Sequence, residues 1–286
     1  MITIITLCGI NNAEEYYQKG PQMPELPEVE GYRRYLEGTT LNQTITAVEA
    51  INEGRMLRAP LQTLRDASIG ERFVSTSRIG KFLFLHLSNQ KIQMWHFGLT
   101  GEPVYYQVAE EKPRFARLVF HFDSGFQLGF NCMRKFGRLD LLDDIAVYQK
   151  ANKLGPDATQ ISEKAFIDAL KNRKTMIKPA LLQQQHFAGI GNWIADEMLF
   201  QIHLHPETRC FAVTEAQYKA MYKVMQEILE TAINLDAHYK EFPDHFMVER
   251  RWQKGACPRH EIPLERIVVG GRGTFICPKC QPEPVG

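Results

Sequence analysis

Asn152-Lys153-Leu154-Gly155-Pro156-Asp157 divides this chain in two. The Gly-Pro pair breaks regular structure. Upstream, apolar residues come in short runs rich in β-branched and aromatic side chains. Downstream they recur every three to four residues, the period of a helix. Working upstream, the spacing predicts strands over 45–50, 72–77, 82–87, 92–97, 104–108, 118–122, 126–130 and 138–142. Turn signals such as Ser88-Asn89 and Asp123-Ser124-Gly125 separate them. So many short strands in succession read as a sandwich or barrel. A short helix is predicted ahead of them, over 27–36, from Val29, Tyr32, Arg33 and Leu36.

Working downstream, helices are predicted over 162–172, 178–185, 191–201 and 214–234. Pro179 suits a first helical turn, and Thr214-Glu215-Ala216-Gln217 fits a capping box. The last forty residues are rich in Gly, Pro and Cys. Two short apolar runs there, 267–269 and 274–276, read as a small hairpin. The fold class is α+β.

With 286 residues, 44% apolar and 23% charged, the chain has the composition of an ordinary globular protein large enough for two domains. Its net charge of +1 excludes a strong whole-molecule attraction to polyanions, so any such partner must be held locally. Residues 245–286 carry seven Lys/Arg against four Glu, a modest excess that also fits a solvated tail. No window approaches the ~18 apolar residues of a membrane span. The first ten residues are apolar without a basic leader, unlike a signal peptide. Six cysteines in so large a chain predict reduced thiols and a cytoplasmic location.

Four metal ligands stand out. Cys257-Pro258-Arg259-His260 and Cys277-Pro278-Lys279-Cys280 are two knuckles 16 residues apart. A two-residue spacing lets both side chains of a knuckle reach one tetrahedral ion. Three thiolates and an imidazole make a closed structural Zn2+ site. Idle or redox cysteine pairs are the bland alternative, and His260 makes a redox pair less natural.

Gly189-Ile190-Gly191-Asn192 opens a predicted helix, where backbone N–H groups attract phosphate. Alone, such a turn is usually only a turn. Lys178 begins the preceding helix, and Arg272 lies at the hairpin tip in Gly270-Gly271-Arg272-Gly273. Taken singly, each cation reads as solvated charge.

The remaining motif is Met23-Pro24-Glu25-Leu26-Pro27-Glu28-Val29-Glu30. A proline freed of its methionine is a secondary amine able to form a Schiff base, and the adjacent carboxyl can carry protons. While residues precede Pro24, its nitrogen is an amide without that reactivity.

Together these motifs resemble the formamidopyrimidine-DNA glycosylase and endonuclease VIII family over residues 23–282. The resemblance implies a 24–150 catalytic β-sandwich with a leading helix. It implies a 151–244 helical domain with a helix–two-turn–helix motif, a 245–286 zinc-finger hairpin and a 1–23 extension. The partner it implies is damaged double-stranded DNA, bound by a monomer in the bacterial cytosol, with no membrane involved. Pro24 resembles the nucleophile, Glu25 the proton-carrying carboxyl and Glu28 a supporting acid. Lys81, in Gly80-Lys81-Phe82-Leu83, resembles a strand-borne lysine that contacts phosphate and assists catalysis. Lys178, Asn192 and Arg272 match the groups that grip phosphates around a flipped nucleotide. Leu99, Arg134 and Phe136 match the side chains that fill the vacated stack, Leu99 standing where methionine is usual.

His260 replaces the usual second cysteine, and 232–257 is short for a loop closing over 8-oxoguanine. Two expectations compete. In the first, translation starts at Met23 and the protein is a glycosylase and lyase. In the second, the extension stays and leaves a silent binder of damaged DNA. A zinc-ribbon module unrelated to repair would make Pro24-Glu25 and Lys81 coincidences.

Overall fold

A computed structural model describes residues 23–52, 54–110, 112–252 and 255–284. The expectations for residues 1–22 lie outside them. The chain forms two compact units. Glu28–Asn152 belongs to the first with Pro24; Glu25–Pro27 joins Lys153–Gly286 in the second.

Helix α1 (Leu26–Thr39), part of the first unit from Glu28 onward, carries Glu28 in its opening turn, where an acid suits the helix dipole. Val29, Tyr35 and Leu36 fall on one face and are buried. Eight strands follow: β1 (Ile45–Ala50), β2 (Phe73–Ile79), β3 (Phe82–Leu87), β4 (Ile92–His96), β5 (Gly101–Gln107), β6 (Ala116–Phe122), β7 (Phe126–Cys132) and β8 (Arg138–Leu142). They pair antiparallel into two four-stranded sheets, ordered β1-β6-β7-β5 and β2-β3-β4-β8.

Alternate side chains explain the sandwich. Leu83, Leu85 and Trp95 from one sheet share a core with Leu118, Phe120, Leu128 and Phe130 from the other. Trp95 stacks on Phe120 at 5.9 Å and meets Phe130 edge-on at 5.2 Å. The opposite face of β3 and β4 presents Phe84, Ile92 and Met94, covered by Ile145 and Tyr148 of α3 (Ile145–Ala151).

Helix α3 and the short α2 (Leu61–Ser68) are additions to the predicted elements. Each has two turns, too few for helical periodicity to stand out among strands. Local signals existed: Pro60 precedes α2, and Asp144 caps α3 by accepting from the N–H groups of Ala146 and Val147.

The second unit holds α4 (Glu163–Leu170), α5 (Ile177–Leu181), α6 (Asn192–Gln201) and α7 (Glu215–Asn234). Thr214 and Gln217 form the expected capping box on α7. The predicted helix over 178–185 stops at Leu181. The Gln184 side chain donates to the Leu182 and Ile190 carbonyls and accepts from Gly189 N–H. These bonds hold the chain in a non-helical turn just past the end of the helix. Helix α6 is buried on nearly every side, from Trp193 to Phe200.

A hairpin of β9 (Glu265–Val269) and β10 (Arg272–Ile276) closes the chain. Gly270 and Gly271 take φ of 58° and 76°, the two left-handed positions of a type I′ turn. Among the described residues no helix is long and apolar enough to cross a membrane.

Candidate active site

Glu25 is 2% exposed and lies at the N-terminus of α6. Its carboxylate accepts from Trp193 N–H at 3.0 Å and Ile194 N–H at 3.4 Å. These are the amides that the sequence offered to phosphate. The protein's own carboxylate occupies them instead, which fixes Glu25 in one orientation. Gly191 permits the approach: a Cβ there would stand 2.1 Å from the Glu25 carboxyl carbon. Pro24, one bond away, is buried and outside any helix. Glu28 sits half-buried in the first turn of α1.

Lys81 is 7% exposed and lies in the two-residue turn between β2 and β3, rather than on a strand as expected. Gly80, with φ of 57°, supplies the left-handed position that the turn needs. Arg78 anchors this turn, donating through Nη1 to the Gly80 carbonyl at 3.0 Å. Its Nε donates to Glu30 of α1, also at 3.0 Å. Glu30, the last residue of the Met23–Glu30 motif, thus helps to place the lysine turn.

Lys178 is completely buried, against the reading of a solvated charge. Its Nζ pairs with Asp196 at 2.6 Å and donates to Thr274 Oγ1 at 2.6 Å and to the Gly273 carbonyl at 3.3 Å. Burial pulls the ammonium pKa down, and Asp196 opposes that shift. Asn192 Nδ2 donates to the same Gly273 carbonyl at 2.9 Å. Arg272 is exposed at the start of β10, next to the glycine turn. Lys178, Asn192 and Arg272 therefore converge on three consecutive residues of one strand.

Sequence reasoning missed the groups that hold this convergence. Asp196 also accepts from Arg251 Nη2 at 2.8 Å and from Phe275 N–H at 3.2 Å. Glu197, wholly buried, accepts from Met247 N–H and from Gln201. Burial raises its pKa to about 7. The available signal was an Asp-Glu pair inside an otherwise apolar helix.

Leu99 is half-buried. Arg134 is exposed and stacks its guanidinium 5.2 Å from the ring centre of Phe136, itself 54% exposed. His96 Nδ1 accepts from Gly98 N–H at 3.2 Å. Burial, with help from Arg138 and Lys81, brings the His96 pKa down to about 4, so the neutral ring serves as acceptor.

Cys257, His260, Cys277 and Cys280 bring their ligand atoms within 4.8 Å of one another. Cys257 Sγ lies 3.7 Å from Cys280 Sγ, and His260 Nδ1 lies 3.8, 3.6 and 3.2 Å from the three sulfurs. A tetrahedron with Zn–S arms of ~2.3 Å has edges of about 3.8 Å, so the set fits one structural zinc ion. The Arg259 and Cys280 amides donate to Cys257 and Cys277 Sγ, as thiolate ligands require. Apart from the ligands, the local core is small, chiefly Phe200 and Met247. Zinc supplies the cohesion that so few apolar contacts cannot.

The profile of the formamidopyrimidine-DNA glycosylase N-terminal domain matches residues 23–139. That of the H2TH domain of the same enzymes matches 154–244, and the zinc finger found in FPG and IleRS matches 257–282. The chain belongs to the formamidopyrimidine-DNA glycosylase family. Membership carries the enzyme class, a DNA glycosylase with abasic-site lyase activity.

Among its relatives in the family, the formamidopyrimidine-DNA glycosylase of Heliobacterium modesticaldum is 34% identical over 278 residues. That alignment covers 91% of this chain and 100% of the relative. The Arabidopsis thaliana enzyme of that name is 31% identical over 276 residues, covering 91% and 71%. The crystal structure of the Lactococcus lactis enzyme bound to DNA with an abasic site superimposes with a TM-score of 0.82. It is 30% identical and covers 91% of this chain and all of that one.

Proposed function

We propose that this glycosylase removes oxidised bases from duplex DNA through a Schiff base on Pro24, then cleaves the strand by β,δ-elimination. The observation that carries the mechanism is the fixed carboxylate of Glu25, lodged on the first amides of α6 beside Pro24. The Pro24 nitrogen attacks the sugar C1′ and the damaged base departs. Glu25 carries the proton that opens the ring, a transfer that needs an acid held in one place. The imine then acidifies the C2′ proton, and two eliminations release the 3′ and 5′ phosphates.

Lys81, Lys178, Asn192 and Arg272 form the grip on the backbone phosphates, Lys178 and Asn192 from beneath by seating the strand that presents Arg272. Glu28 supports the acid, and Leu99, Arg134 and Phe136 fill the gap in the stack. Cys257, His260, Cys277 and Cys280 bind the zinc that shapes the Arg272 hairpin. The protein works on DNA as a monomer in the bacterial cytosol. All of this chemistry requires Pro24 as a free amine. With residues 1–22 still attached, Pro24 is an amide and the protein binds damaged DNA without cutting it.

The test is incision of labelled duplexes carrying an oxidised purine, an oxidised pyrimidine or an abasic site, by protein beginning at Pro24. The expected product is a one-nucleotide gap flanked by two phosphates. Binding of the abasic duplex without incision of any substrate would contradict the enzymatic reading.

A further inference from the structure

The loops that carry Leu99, Arg134 and Phe136 are distant in sequence yet adjacent by topology. Residues 97–100 run from β4 to β5, and residues 133–137 run from β7 to β8. Strands β4 and β8 pair in one sheet, with His96 opposite Arg138. Strands β5 and β7 pair in the other, with Gly101 opposite Cys132. The two loops are thus neighbouring crossovers between the same pair of sheets.

Their backbones interlock. A Cβ on Gly98 would stand 2.4 Å from the Phe136 carbonyl carbon and 2.7 Å from Gly137 N. Gly98 also takes a left-handed φ of 62°. One hydrogen bond joins the loops directly: the Arg134 N–H donates to Thr100 Oγ1 at 3.1 Å. Thr100 is 7% exposed, so this bond is shielded from competing water.

From this juxtaposition we infer that Thr100 is a positioning residue that latches the two loops into one preassembled wedge for the emptied base stack. The proposal rests on the assignment of Leu99, Arg134 and Phe136 as void-filling side chains. A latched wedge matters before the base is extruded, when three side chains must enter the duplex together. It matters little once there is no pairing to disrupt. Ordering two loops in advance removes their entropic cost from the flipping step.

The experiment compares two rates for each variant, both in protein beginning at Pro24. One is single-turnover excision of formamidopyrimidine-guanine opposite cytosine in a duplex. The other is cleavage of a single strand carrying an abasic site. Thr100→Val keeps the shape and deletes the hydroxyl. Its ratio of duplex excision to single-strand cleavage should fall about tenfold, the worth of one shielded hydrogen bond. Thr100→Ser restores the acceptor and should recover the ratio to within about twofold.

Gly98→Ala, which forces the loops apart, should lower the ratio as well, and serves if the valine variant folds poorly. An unchanged ratio in Thr100→Val, or a serine variant as impaired as valine, would overturn the latch. Phe136→Ala separates this from the wedge assignment. A normal ratio there removes the void-filling role itself, whereas a low ratio beside a normal Thr100→Val removes only the latch.

Discussion

Glu25 and Gly191 show how much depends on a single contact. The carboxyl carbon lies where a Gly191 side chain would begin, 2.1 Å from that Cβ. Gly191→Ala should therefore displace Glu25 by about an ångström and slow abasic-strand cleavage roughly a hundredfold, measured in single turnover. DNA binding by gel shift should change far less, because Arg272, proposed to grip phosphate, lies on β10 and not at this contact. The glycine-rich turn was legible in the sequence, but its partner was not. The bond from Trp193 to Glu25 spans 168 positions, and nothing local distinguishes amides that meet a phosphate from amides that meet a distant carboxylate. The same holds for Lys178. Its charge looked solvated until folding placed Asp196 against it.

Helix α6 is the element in which these long-range partners gather. Asp196 faces Lys178 and Arg251, and all three are buried. Asp196→Ala would strand two buried cations at a cost of about 3–5 kcal/mol, visible as a lower urea midpoint. Glu197 predicts a pH dependence. Its folded pKa of about 7 lies above the ~4.3 of an unfolded glutamate. The folded state then holds a proton that the unfolded state has released, so this contribution is complete below pH ~4 and fades as pH rises through 7. The loss is on the order of 3 kcal/mol. Glu197→Gln should flatten the fall in urea stability between pH 5 and pH 8, and an unaltered slope would show that the residue does not titrate there.

Strands such as β1, β3 and β8 were legible to the residue, because alternation and flanking turns mark both ends. The two-turn helices α2 and α3 were not, since their spacing is overwhelmed by packing against sheets. Lys81 was expected on a strand and lies in a turn instead: Gly80 marks a turn only once β2 and β3 are known to pair.

At the scale of the molecule, the zinc hairpin carries Arg272 and supplies the carbonyl and hydroxyl that Lys178 and Asn192 meet. Chelation of zinc should unfold it and abolish binding to abasic duplex, with the circular-dichroism signal of the helices largely kept. Binding that survives chelation would place the phosphate grip elsewhere. The metal ligands were legible because their spacing is local, whereas the sheet order needed the whole pattern of strands.

The proposed mechanism depends on the Pro24 amine as nucleophile. Borohydride reduction of the complex with abasic-site DNA tests this directly, using protein started at Met1 and protein started at Met23 with the methionine removed. The prediction is a covalent adduct from the second form only, mapped by mass spectrometry to the peptide that begins at Pro24. An adduct on a lysine such as Lys81, or none from either form, would contradict it.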